Sequence, residues 1–290
     1  MAANTRDIRR RIKSIKNTSQ ITKAMQMVAA SKMRKAQQVA LAGRPYAALM
    51  NKVLVSVRNR TDATLNELLE VRQIKRELVL VISTDKGLCG ALNSNLLREL
   101  NQFDSAKTVF VGAGRKGVQY LARTKRQLIS DFALPDAPTL PDTKAVSKFI
   151  ITKFLSREVD KVSVLYTSFV NTLIQKPTVR TLLPISPFDI PGGKGEEVVD
   201  AAETPTEYLF EPGAAEVLSA ILPHYIHYLV YQMVLDARAS EHSARMVAMK
   251  SATDNAKNLI KELTLEYNKI RQSGITTELL EITTAQMALG

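Results

Sequence analysis

The sequence predicts an α/β protein in which two long helices, one at each end of the chain, pair as an antiparallel coiled coil around a small central sheet domain. Three observations predict it. The stretch from His224 to Gly290 contains no proline and only two glycines, Gly274 and Gly290. Apolar and small residues recur there every three or four positions, and at about 1.5 Å per residue such a helix is roughly 100 Å long, beyond what a compact domain needs. Met1 to Ala42 is likewise free of proline and glycine and helically patterned, while the middle of the chain alternates strand and helix.

In the first helix, Ile8, Ile12, Ile15, Ile21, Met25, Val28, Met33, Ala36 and Ala40 trace a narrow stripe suited to a coiled-coil seam. Arg9 to Arg11, Lys13, Lys16, Lys32, Arg34 and Lys35 fall mostly on the other faces. Gly43-Arg44-Pro45 is expected to kink or interrupt this helix, with the pattern resuming through Leu49, Val53 and Val57. In the last helix Ala244, Ala248, Ala252 and Ala256 form a ladder of small residues that lets another helix approach closely. Ile260, Leu263, Tyr267 and Ile270 extend it. Two helices of this length exceed what the sheet domain can cover, so much of each is expected to project.

From Glu77 the period changes. The spacing predicts strands over 77–84, 107–113, 126–132, 161–171 and 177–186, the last two as a hairpin, and helices over 93–100 (opening on an Asn cap), 115–123 and 145–159. PDAPTLPDT (135–143) reads as loop. Residues rich in Pro, Gly and acids after 187 read as a linker, and Pro223 marks an expected kink near the start of the last helix. The expected organisation is therefore 1–60 first helix, 77–187 α/β domain, 188–212 linking loop and 213–290 last helix.

Composition narrows the class. The single cysteine, Cys89, excludes an internal disulfide framework, and no run approaches 18 apolar residues. The first twenty residues are Arg-rich and acid-poor like a transit peptide. Their helical pattern runs unbroken through residues 21–40, so they read as mature structure. The net charge of +12 is unevenly placed. Residues 1–60 hold 14 Lys/Arg and one acid, 14 − 1 = +13, and the remaining residues 26 Lys/Arg and 27 Asp/Glu, 26 − 27 = −1. Such a basic helix suits either nucleic acid or an acidic protein surface. No aromatic residues interleave the basic ones, so base stacking is unsupported.

Two motifs resemble catalytic sites. Gly112-Ala113-Gly114-Arg115-Lys116-Gly117 fits the G-x-G-x-x-G dinucleotide fingerprint, with Asp131 downstream. It sits in the second strand–helix pair, in a sheet too short for two nucleotide-binding halves, and reads as a tight strand–helix turn. Cys89, in GLCGAL, has no histidine near it in sequence, since His224, His227 and His242 all lie in the last helix. It reads as a packed small residue. No P-loop is present, and no histidine has the partners of a metal site. A nucleotide-cofactor enzyme and a nucleic-acid-binding coiled coil remain the rival readings.

Three segments carry a resemblance that decides between these. IRRRIKSIKNTSQITKAMQMVAASKMRKAQ (8–37), STDKGLCGALN (83–93) and SEHSARMVAMKSATDNAKNLIKELTLEYNKIRQSGITTELLEI (240–282) resemble, in order, the first helix, the first central turn and the last helix of the gamma subunits of rotary, proton-translocating ATP synthases of bacterial type. The resemblance implies a non-catalytic rotor shaft. Its terminal helices would form an asymmetric coiled coil inside a ring of alpha and beta subunits, and its Rossmann-like domain would meet the epsilon subunit and the membrane c-ring. It implies one copy per complex, peripheral on the cytoplasmic side of the cell inner membrane. It also implies no nucleic acid and no cofactor on this chain, with ATP, ADP and magnesium used at the beta subunits.

Residue by residue, the resemblance places Met25 against an acidic loop of the beta subunits, with Lys23, Lys32 and Arg34 near the same surface. Arg271 and Gln272 match a pair that engages a beta-subunit catch loop, and Thr276, Glu278 and Glu281 lie close by. Tyr208, Phe210 and Glu211 fall where the family touches the c-ring, Phe210 replacing a tyrosine. The chain departs from the family at Ala285-Gln286, where a Gly-Ala pair is usual, which should alter packing of the tip. The paired cysteines of chloroplast members are absent.

Overall fold

The computed structural model describes residues 2–58, 66–185 and 213–289. Its elements, in order, are α1 (Ala2–Arg58), β1 (Glu77–Ile82), α2 (Leu92–Arg98), β2 (Thr108–Ala113), α3 (Arg115–Arg123), β3 (Leu128–Phe132), α4 (Leu140–Leu155), β4 (Lys161–Phe169), β5 (Gln175–Leu183) and α5 (Ala214–Leu289). The chain divides into two compact units, residues 1–31 with 245–290, and residues 32–244.

The larger unit is built on one five-stranded sheet in the order β3-β2-β1-β4-β5. β1 to β4 run parallel, and β5 closes the edge as an antiparallel hairpin partner of β4. β1 and β2 are continuous apolar runs because both faces of the sheet are covered, the usual reading of buried parallel strands. On one face Val79, Val81, Phe110 and Leu165 pack with Leu96 of α2, Leu100 just beyond it and Leu121 of α3. On the other, Leu78, Leu80, Val109, Val111, Val162 and Val164 meet Val146, Ile150 and Phe154 of α4. That same face also takes Leu222, Tyr225, Ile226, Leu229, Val230, Met233 and Val234 of α5. Residues 222–234, expected from the sequence as the beginning of a projecting helix, are therefore core of the sheet unit.

Three local expectations change. α4 begins at Leu140, inside the expected loop. Thr139 and Asp142 form a capping box and Pro141 occupies the first turn, where its missing N–H is harmless. Bonds from Thr139 hold the Asp142 carboxyl below its ordinary value, against the opposing effect of desolvation. α2 begins at Leu92 without an Asn cap. Asn93 instead turns its amide to Thr84 Oγ1 (2.7 Å) and Cys89 Sγ (3.4 Å), tying the turn after β1 together. Gly43-Arg44-Pro45 does not interrupt α1, and α5 likewise runs on through Pro223. The Tyr228 hydroxyl donates to Gly43 O at 2.6 Å, and a Cβ on Gly43 would lie 2.7 Å from that hydroxyl.

In the smaller unit, parts of α1 and α5 pack together. The buried and half-buried series on α1 is Ile8, Ile12, Ile15, Ser19, Thr22, Gln26 and Ala29, alternating four- and three-residue steps without a break. α5 answers with Met246, Met249, Thr253, Ala256, Ile260, Leu263, Tyr267, Ile270, Gly274 and Thr277, in the same alternation. Thr22 Oγ1 lies 2.7 Å from Thr253 Oγ1. With that pair in register, only opposed helix directions match the two series within this unit, Ile8 falling across from Tyr267. The expected antiparallel coiled coil is present, on a partly different seam. Ile21 and Val28 are 60% and 55% exposed, because each stands one position off the strict repeat. Ala248 and Ala252 flank the α5 seam, and Ala256 lies on it.

Candidate functional site

The glycines of the G-x-G-x-x-G motif serve the packing of the strand–helix turn. Each glycine is consumed by close packing. A Cβ on Gly112 would lie 2.4 Å from Val118 Cγ2, one on Gly114 2.1 Å from Ser83 O, and one on Gly117 2.8 Å from Ser83 Oγ. Gly114 has φ +114, a region L-residues avoid. Ser83 Oγ accepts from Gly117 N at 2.7 Å and donates to Gly114 O at 3.0 Å. The hydroxyl thus occupies the helix N-terminus that would hold a pyrophosphate. Asp131 sits on edge strand β3, paired with Gly112. Cys89 is buried, with the Asn93 amide on its sulfur. Among the described residues no group of three His, Cys, Asp or Glu side chains is placed to hold a metal.

The histidines of α5 take structural places. His227 Nδ1 lies 2.6 Å from Ser147 Oγ on α4, and burial, with the charges of Lys144 and His224, lowers its pKa from the ordinary value. His242 is buried with Nε2 3.5 Å from Asp136 Oδ1. Asp136 also pairs with Lys32. Burial alone would raise the Asp136 pKa. The bond from Lys32 and the charges of His242, Lys32 and Arg238 outweigh it and hold the carboxyl below its ordinary value.

The surface features lie on the helices. In the smaller unit Arg9, Arg10, Arg11, Lys13, Lys16 and Lys23 are exposed, with Met25 half-buried beside them. Arg271, Gln272, Thr276, Glu278 and Glu281 are all exposed on α5, Thr276 Oγ1 bonding back to Gln272 O at 3.0 Å. Lys23 and Met25 do not converge with Arg271. Lys23 adjoins the Thr22–Thr253 contact, and Arg271 stands eighteen residues along α5 from it, about 27 Å by helix rise. From Glu278 to Met287 every residue is exposed, including Leu279, Leu280, Ile282 and Met287, and so are Ala285 and Gln286. Among the described residues this apolar tip has no seam partner on α1. Lys32 and Arg34 are exposed in the larger unit, Lys32 already engaged by Asp136. Tyr208, Phe210 and Glu211, and the linking loop 188–212, lie outside the described residues.

Sequence reasoning missed Thr22 and Thr253, whose signal was the unbroken repeat rather than side-chain size. It also missed a buried cluster of Arg238, Glu241 and His242, which has no local signal because its partners are distant in sequence.

A paired-helix unit with a basic face and an exposed apolar tip, on a chain whose glycine turn is taken up by packing against Ser83, calls for comparison with known shafts. The ATP synthase family model matches residues 4–289. The chain belongs to the ATP synthase gamma-chain family. It is 52% identical to the ATP synthase gamma chain of Methylacidiphilum infernorum over 293 aligned residues, covering 99% of this chain and 100% of that protein. It is 47% identical to that of Akkermansia muciniphila, covering 99% of each. Among solved structures it resembles a chain of the Tetrahymena thermophila mitochondrial ATP synthase central stalk and c-ring. That likeness has a TM-score of 0.60 and 26% identity over 80% of this chain and 99% of that one. A chain of the Euglena gracilis mitochondrial enzyme shares the fold at TM-score 0.69 and 21% identity, over 100% of this chain and 95% of that one.

Proposed function

We propose that the chain works as the central rotor shaft of an ATP synthase, a non-catalytic subunit whose turning couples ion flow at a membrane c-ring to ATP synthesis or hydrolysis elsewhere in the complex. The observation that carries this reading is the smaller unit. Two helices are joined on a narrow seam, basic along α1, and α5 ends in exposed Leu279, Leu280, Ile282 and Met287, with no partner on α1 among the described residues. A bearing surface has this character, since it must be held without being locked. Exposed charges at Lys23, Arg34 and their neighbours make screened contacts worth at most about 1 kcal/mol each, so they can be broken and remade at every step. A buried ion pair to a ring subunit would hold one angle.

In this reading, Lys23, Met25 and Arg34 face the acidic loops of the beta subunits, where the ATP, ADP and magnesium chemistry takes place. Lys32 reaches the same surface only by leaving Asp136. Arg271 and Gln272 engage a catch loop, with Thr276, Glu278 and Glu281 beside them. Residues 1–60 and 213–290 serve as shaft, with 77–187 as the domain that meets the epsilon subunit and the c-ring. Tyr208, Phe210 and Glu211 serve as c-ring contacts and 188–212 as the link. One copy serves each complex, peripheral on the cytoplasmic side of the inner membrane. Among the described residues no helix is long and apolar enough to cross a membrane, which fits attachment through other subunits.

The test is reconstitution. Purified alpha and beta subunits with magnesium ATP are assayed with and without the chain. The reading expects one chain per ring in the recovered complex and steady ATPase activity that depends on it. A chain that stays out of the ring, with activity the same either way, refutes it.

A further inference from the structure

In open α/β sheets, ligands bind outside the carboxyl ends of the strands, where the chain's course across the sheet reverses. Here that point lies between β1 and β4, and α5 fills it. Arg238, Glu241 and His242 are 6%, 4% and 3% exposed. Arg238 donates to Glu241 Oε2 (2.8 Å), to Asp85 Oδ2 after β1 (3.1 Å) and to Leu134 O after β3 (3.0 Å). Asp85 also accepts from Arg115 N at 3.0 Å, at the start of α3. Two α5 hydroxyls reach the β4 side, Ser240 to Thr167 O (3.0 Å) and Ser243 to Thr172 O (2.8 Å). What remains between α5 and the strand ends is a cavity of about 10 Å³, room for a single water.

These bonds differ in kind from the rest of the joint. Below them α5 meets the sheet through Leu222, Ile226, Val230 and Val234. Apolar packing is non-directional and resists rolling of a helix about its own axis only weakly. A forked guanidinium held on acceptors from two strand-end turns and its own helix fixes an angle. Buried ion pairs add little net stability but can fix register.

We propose that Arg238, with Asp85 and Glu241, is the torsional key of this chain: a positioning group that locks α5 at one angle in the strand-end crevice, so that twist carried by α5 is delivered to the sheet unit. The inference rests on the rotor reading. It makes the position that holds a ligand in other open sheets a mechanical socket. The load falls on Arg238 because its guanidinium binds the turns after both β1 and β3.

The test uses the complete membrane-reconstituted complex carrying Arg238→Met/Glu241→Leu, which replaces the pair by apolar groups of similar volume and keeps the packing. A second variant, Asp85→Asn, removes one charge at a part-exposed position and leaves the core intact. For both, subunit stoichiometry and ATPase activity without load should match the parent. The angular fluctuation of a bead fixed to the sheet unit, with α5 clamped in the ring, should widen. Proton-driven ATP synthesis should fall, by about fivefold or more in the double variant, in the range of ordinary coupling losses, and less in Asp85→Asn. Parent-like fluctuation and synthesis in either variant overturn the key. If the double variant fails to assemble, Asp85→Asn decides. An unsubstituted complex that hydrolyses ATP with the bead at rest overturns the rotor reading instead.

Discussion

The packing of the glycine loop sets a graded prediction. Alanine replaces Gly114, Gly117 and Gly87 in turn. At Gly114 the residue must hold φ +114, a strain of about 1–3 kcal/mol for an L-residue. Its Cβ also meets the Ser83 carbonyl at 2.1 Å. That backbone is pinned, since Ser83 N donates to Ala113 O at 2.8 Å. Forcing it aside costs a further 1–3 kcal/mol, roughly, the usual scale of overpacking. The sum is about 2–6 kcal/mol. At Gly117 the tightest neighbour is Ser83 Oγ, at 2.8 Å, which can rotate away by giving up its two hydrogen bonds, about 1 kcal/mol each, while Ser83 Cβ and Val81 Cγ1 at 3.2 and 3.3 Å need only small shifts. The helix propensity of alanine returns about 1 kcal/mol, leaving a net loss of about 1 kcal/mol. At Gly87 nothing lies within 4 Å, and the change should stay within about 0.5 kcal/mol. Native-state amide exchange of Leu78 to Ile82, strand amides buried on both faces, reads each cost directly, at about tenfold faster exchange per 1.4 kcal/mol. Gly114→Ala exchanging like the parent would refute the packing account. So would tight binding of NAD or ADP by the purified parent chain.

Two further outcomes rest on the same structure. Thr22→Val and Thr253→Val each break the hydroxyl pair in the seam and should cost about 0.5–1.5 kcal/mol. The double variant should cost less than the sum, with a coupling near 1 kcal/mol, by urea unfolding followed through amide exchange in 246–260. Strict additivity would show that the 2.7 Å contact contributes nothing. His227 has a lowered folded-state pKa. Above about 6.5, its ordinary value, both folded and unfolded states hold it neutral and its contribution is complete. As the pH falls through 6.5 toward the folded value, the unfolded chain binds the proton first and stability is lost. Urea midpoints from pH 8 to 5 should fall more for the parent than for His227→Gln, and parallel slopes would contradict the assignment.

The parts of this fold that were legible in the sequence are those with a local pattern. β1 and β2 announce themselves as unbroken apolar runs because they are buried on both faces. The hairpin of β4 and β5 follows from two strands separated by a turn of only five residues. The α4 start was obscured by its prolines, although Thr139, Pro141 and Asp142 together form a start signal. The seam was misplaced where size and period disagree: Ile21 is large and exposed, Thr22 small, polar and buried. Residues 225–235 are apolar on nearly every face, the mark of a helix buried in a core, and that mark separates the sheet-covering part of α5 from the remainder. The Arg238 cluster could not be foreseen, since its acceptors at Asp85 and Leu134 are more than a hundred residues away and only the sheet topology brings them together.

Rotation itself is the most direct test. With the alpha and beta ring fixed to a surface and a bead attached to residues 77–183 of this chain, the account predicts one-way, stepwise turning of the bead whenever magnesium ATP is supplied. It also predicts arrest of hydrolysis when the bead is held. Sustained ATP hydrolysis with a bound but stationary bead would contradict it.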